Sequence, residues 1–185
     1  AATGLVIAIG VGTLVGSFVG GLLGQRLFNR RPGYLPLFCA ITTIAAVGPM
    51  ALLISFPAGP SAAAGATAIA LVTGLLAGCV ISNVNTMMIN VNPPERRGAA
   101  FALLNLFNDL GRGLGAWLVG TMAASMGRVT AFHLANLLWI PCGLALFALA
   151  RLLPREQAAV QARLQVMVAR ERGPVVDPAP KSRAS

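Results

Sequence analysis

Residues Gly12–Phe38 read GTLVGSFVGGLLGQRLFNRRPGYLPLF. No charged residue precedes Arg26 in the chain, and none lies between Tyr34 and Pro94. Between these uncharged runs stand Arg26, Arg30 and Arg31, followed by Pro32 and Gly33. A run of about 20 apolar residues is enough to cross a hydrocarbon core as a helix. An apolar run, a basic turn with Pro and Gly, and a second apolar run together predict a membrane hairpin.

The same punctuation recurs outward from this hairpin. Five spans are predicted, at Thr3–Leu23, Tyr34–Phe56, Ala63–Ile89, Gly98–Ala124 and Val129–Leu153. The joins read RRPG, FPAGPS, NVNPPERRG and SMGR. The composition agrees: 56% of the 185 residues are hydrophobic, 10% are charged, and the mean hydropathy is +0.76. A soluble domain carries about 25% charged residues. The expected fold is therefore all-α, a polytopic bundle of transmembrane helices at 1–153. Residues 154–185 are read as a basic cytosolic tail, helix-permissive at first and then Pro-rich and partly disordered. Val160, Leu164 and Met167 in that tail recur at helical spacing, which suits either an anionic leaflet or a solvated helix.

Charge predicts the orientation. Three arginines follow the first span, Arg96 and Arg97 follow the third, and seven basic residues lie from Arg151 onward. Twelve of the 14 basic residues thus fall on one side, which the positive-inside rule makes cytosolic. The C-terminus is expected in the cytosol and the first residue outside. The net charge of +9 is read as topology. It argues against a nucleic-acid partner, because the basic residues lack interleaved aromatics. Cys39, Cys79 and Cys142 are odd in number and sit in apolar runs, so no disulfide framework is implied. One histidine and no clustered carboxylates leave a metal site without ligands, no nucleophile–base arrangement is visible, and no cofactor is expected.

Two loops resemble a known family. GGLLGQRLFNRRPG is similar to the G-x-x-x-D-R-x-G-R-R loop signature of the major facilitator superfamily. Gly21, Arg26, Arg30 and Arg31 match, with one extra residue between the arginines; Gln25 replaces the usual Asp and Asn29 lies near the usual Gly. NPPERRGAAFALLNLFNDLGRGLGAWLVG resembles that family's junction between the tenth and eleventh helices. The resemblance implies the C-terminal part of a twelve-helix transporter, helices eight to twelve. The implied partners are a small-molecule solute, the lipid bilayer and a missing N-terminal half. It also implies a gating latch through the loop arginines, for which Glu95 stands in as the acid that Gln25 lacks.

The fourth span carries unusual chemistry. At 1.5 Å per residue, Asp109 lies about 16 Å into a helix that starts near Gly98, in the middle of a ~30 Å core. At about 100° per residue, Asn105, Asn108, Asp109 and Arg112 share one arc. An isolated Asp or Arg at that depth costs about 2.5–3.5 kcal/mol on the insertion scale. One reading makes the arc a pathway, with Arg112 holding an anionic group or Asp109 taking up a coupled proton. The other makes Asp109 and Arg112 a buried pair that pins helix packing, as in a non-transporting scaffold or receptor. In the third span, Ser82, Asn83, Thr86 and Asn90 share an arc, and Asn83 either lines the same cavity or bonds a neighbouring helix. The glycines at 12, 16, 20 and 24 form a stripe that admits another helix closely.

Overall fold

The computed structural model describes residues 2–57, 59 and 62–171. The Pro-rich end of the tail lies outside the described residues. Among the described residues six α-helices run in sequence: α1 (Ala2–Arg30), α2 (Tyr34–Ser55), α3 (Ala63–Val91), α4 (Arg97–Met126), α5 (Arg128–Leu137) and α6 (Trp139–Glu171). No strand occurs among the described residues.

Proline and glycine set the boundaries by identifiable means. Phe56 and Asn92 are extended, with ψ of 133° and 132°; each precedes a proline, which disfavours helical backbone at that position. A short 3-10 turn, Pro94–Arg96, then leads into α4. Gly127 closes α4 at φ 88°, its N–H donating to the Ala123 carbonyl, a conformation that suits glycine. Pro141 explains why the fifth predicted span is two helices. It has no N–H to offer Leu137, four residues back, and its ring crowds that carbonyl, so the helix breaks at Leu138. Pro49 and Pro154 sit inside continuous helices.

The contact between α1 and α3 is the most extensive in the chain, and glycine makes it possible. A Cβ at Gly12 or Gly16 would land on the backbone of Leu71 or Leu75, one at Gly20 on Cys79, and one at Gly24 on the Asn83 amide. Reciprocally, Gly74 and Gly78 press on the Ile9 and Thr13 carbonyls. Ser17 Oγ donates to the Gly78 carbonyl oxygen at 3.2 Å. The glycine stripe thus receives α3. α2 packs on both α3 and α6, with Gly143 of α6 against Ile44 and Ala40 of α2. Leu35, Cys39, Met87 and Leu153 form a buried cluster toward the basic end of this group.

Among the described residues four stretches are long and apolar enough to cross a membrane: Thr3–Arg30, Tyr34–Ser55, Ala63–Val91 and Arg128–Met167. The fourth predicted span, α4, is not among them despite its 30 residues. Its Asn, Asp and Arg residues lower its hydropathy, so it differs from the others in composition and not in length. Nor does α6 end near Leu153. It continues to Glu171, with Leu153 and Gln157 buried and Val160 and Leu164 half-buried against the chain. Part of the apolar stripe in the tail is therefore covered by protein.

The α1–α3 contact yields a direct test. Gly16→Leu should destabilise the chain by about 3 kcal/mol or more, since the side chain meets backbone that cannot move aside. Gly10→Leu, with open space around its Cβ position, should be silent. Thermal unfolding in detergent reads both.

Candidate polar face of the fourth long helix

α4 carries the polar residues and has no buried residue. Asn105, Asn108, Asp109 and Arg112 are all exposed. Their chain neighbours explain why they share a face, since spacings of three and four bring side chains together on a helix. Asp109 lies about 18 Å from the start of α4 and about 25 Å from its end, at 1.5 Å per residue.

The rest of α4 shows which way this face points. Its half-buried residues are Arg97, Ala100, Phe101, Leu104, Gly115, Val119, Met122 and Ala123. On the helical wheel they cluster beside the polar arc and overlap its edge. Its large apolar residues Leu103, Leu106, Phe107, Leu110, Leu114 and Trp117, exposed by 47 to 67%, lie about 160° from the polar arc at 100° per residue. The polar arc therefore turns toward the side on which α4 meets its own chain, and the apolar arc turns away. The helix is held near both ends, mainly by α5 and more weakly by α3 and the 3-10 turn. Between those contacts, every residue from Asn105 to Leu114 is exposed.

Asn83 is not part of this face. It is 1% exposed, and its Nδ2 donates to the Gly20 carbonyl oxygen at 2.9 Å and the Cys79 carbonyl oxygen at 2.7 Å. Of the two roles open to it, the geometry matches the bond to a neighbouring helix. Burial between α1 and α3 takes it away from any pathway along α4. Thr86 and Asn90 likewise bond carbonyls one turn back in their own helix.

The loop-signature residues gather at one end of the bundle. Gly21 faces Ser82 of α3 at ordinary contact distance, while Gln25, Arg26, Arg30 and Arg31 are exposed. The Arg31 guanidinium stands 5.9 Å from the Tyr34 ring centroid. Glu95 lines a groove with Arg96 and with Arg163, Val166 and Met167 of α6. Sequence reasoning missed Arg163 as a neighbour of Glu95, because nothing in the sequence says that α6 extends beneath the turn between α3 and α4. At the opposite end, Ser55 Oγ and His133 Nε2 are 2.8 Å apart, and Asn136 Nδ2 donates to the Val47 carbonyl oxygen at 2.9 Å. These bonds tie α5 to α2. No group of three or more His, Cys, Asp or Glu that could hold a metal occurs among the described residues.

Apolar helices, a basic loop signature and one polar helix describe a helical membrane protein in outline, and the sequence comparison decides the family. The profile of the Major Facilitator Superfamily matches residues 1–175. The chain belongs to that superfamily. No curated protein and no solved structure matches significantly. The chain is accordingly a multi-pass integral membrane protein of a solute-transporter family, which is not an enzyme family.

The position of Asn83 separates packing from transport. Asn83→Ala should lower stability by about 1 kcal/mol, the scale of an interhelical hydrogen bond in a membrane. Solute affinity should stay unchanged; a marked rise in the half-saturation concentration would return Asn83 to the pathway.

Proposed function

We propose that this chain supplies helices eight to twelve of a secondary active transporter. Small-molecule solute would pass along the polar arc of α4. The observation that carries this reading is the exposed stretch from Asn105 to Leu114, which leaves two opposite charges mid-helix uncovered by the described residues. A pair that pinned the helices of this chain to one another would be covered by them. Intramembrane ionisable residues characteristically line ion and substrate pathways. An N-terminal half standing opposite α4 would close the path, and rocking of the two halves would give alternating access.

Within this reading Arg112 holds an anionic group of the solute or Asp109 carries a coupled proton. Substitutions in the complete transporter, assayed with a solute found by uptake screening, separate the two. Asp109→Asn and Arg112→Gln should each disrupt function, because each leaves one charge uncompensated. In the double variant, folding without binding points to Arg112 as the anion ligand. Exchange across the membrane without accumulation against a gradient points to Asp109 as the proton carrier. Full recovery of proton-driven uptake would reduce the pair to a structural one.

The gating role of the loop follows the same reading. Arg26, Arg30 and Arg31 would latch the cytosolic side, with Glu95 as the acid in place of Gln25. The groove that Glu95 shares with Arg163 brings α6 into that latch. The charge distribution supports a cytosolic basic end. With Cys39, Cys79 and Cys142 replaced by Ala, Gly59→Cys should react with a membrane-impermeant maleimide in intact cells. Arg155→Cys should react only after permeabilisation. The reverse pattern would invert the topology.

A further inference from the structure

The turn between α1 and α2 is pressed onto α6. A Cβ at Gly33 would meet the Ala150 carbonyl oxygen at 2.7 Å and the Pro154 ring at 3.3 Å, so only a glycine lets the turn approach this closely. The contact sets Arg31 beside Arg151, and the two line a groove of about 430 Å³ with Tyr34, Leu37, Phe147 and Pro154. No acidic residue lines it. Arg31 belongs to the loop signature, whereas Arg151 lies outside that motif.

The groove is graded along the membrane normal. Leu37 lies one turn deeper in α2 than Tyr34, and Phe147 one turn deeper in α6 than Arg151. The guanidinium groups therefore stand at the end of the helices and the apolar walls run inward from them. Phe147 is 47% exposed and Tyr34 38%, so the walls are open to an occupant from the bilayer. Two cations over an apolar slot match an anionic headgroup with its acyl chain attached; basic pockets between helices at the membrane surface bind such lipids. A zwitterionic lipid brings the same phosphate, but its headgroup ammonium cancels that charge and is repelled by the two arginines, so it answers the pair less well.

We infer that this groove binds one anionic phospholipid, its phosphate between Arg31 and Arg151 and an acyl chain along Leu37 and Phe147. The site stands at headgroup depth in one leaflet, and its occupancy does not depend on which leaflet that is. It is independent of the solute path, which runs along α4.

The test uses the 185-residue chain purified in a zwitterionic detergent, with thermal unfolding followed by circular dichroism. Phosphatidylglycerol should raise the unfolding temperature in a saturable way, whereas phosphatidylcholine and inorganic phosphate should not. Arg31→Ala with Arg151→Ala should weaken the apparent affinity for phosphatidylglycerol about thirtyfold, the combined effect of two basic residues at a membrane surface. Arg155→Ala, outside the groove, should leave it unchanged. If the alanine pair does not fold, Arg31→Gln with Arg151→Gln retains hydrogen-bonding side chains and should show the same loss. Equal stabilisation by phosphatidylcholine, an equal effect of inorganic phosphate, or undiminished binding in the double variants would overturn the proposal.

Discussion

Everything in this chain depends on how closely α1 and α3 can approach. Lipid tails are as apolar as the side chains of the helices, so burying leucine between two helices gains little in a bilayer. Association must come from dense packing and hydrogen bonds. The glycines of α1 and α3 supply both, because removing side chains lets one backbone lie on the other and brings Ser17 and Asn83 within reach of carbonyls across the gap. α2 and α6 then add to this pair through small residues at Ala40, Ala46 and Gly143. The result is a group of apolar helices held by backbone proximity, with no charge required in its interior.

Most of the fold was legible for that same reason. Spans in a bilayer announce themselves by uncharged length, and the stretch from Tyr34 to Pro94 leaves no other reading. The stripe of Gly12, Gly16, Gly20 and Gly24 named a packing face, though not the helix that fills it, because a stripe of small residues has no partner code. Proline was only partly legible. Pro141 breaks a helix whereas Pro49 does not, and the difference lies in the neighbours: α5 turns onto α2 through Asn136, while α2 is held along its length. Helix past Pro154 was legible in the spacing of Val160, Leu164 and Met167; its continuity with the fifth span was not, because charge reads as an end of the membrane span even where the helix continues.

The polar face was legible in type and in angle, and its surroundings were not. The spacing of Asn105, Asn108, Asp109 and Arg112 fixed the arc, but nothing in the sequence tells whether another helix covers it. Asn83 shows the limit from the other direction. An asparagine in an apolar helix reads the same whether it faces water or a neighbouring carbonyl, and only the glycine opposite, Gly24, distinguishes the two.

Magnitudes show why α4 stands apart. On the insertion scale, Asp109 and Arg112 together cost about 5–7 kcal/mol at mid-membrane, while its Leu, Phe and Val residues return about 0.3–0.6 kcal/mol each. Phe101, Leu103, Leu104, Leu106, Phe107, Leu110, Leu114, Leu118 and Val119 together then offset about 3–5 kcal/mol. The balance is against α4 as a lone span. Something must solvate the arc, and the chain itself leaves it bare from Asn105 to Leu114. The partner can be protein or water, and either one sets this face apart from the lipid-facing side of the helix. A helix that could satisfy its charges within its own chain would have no such requirement, and its polar face would carry no functional information.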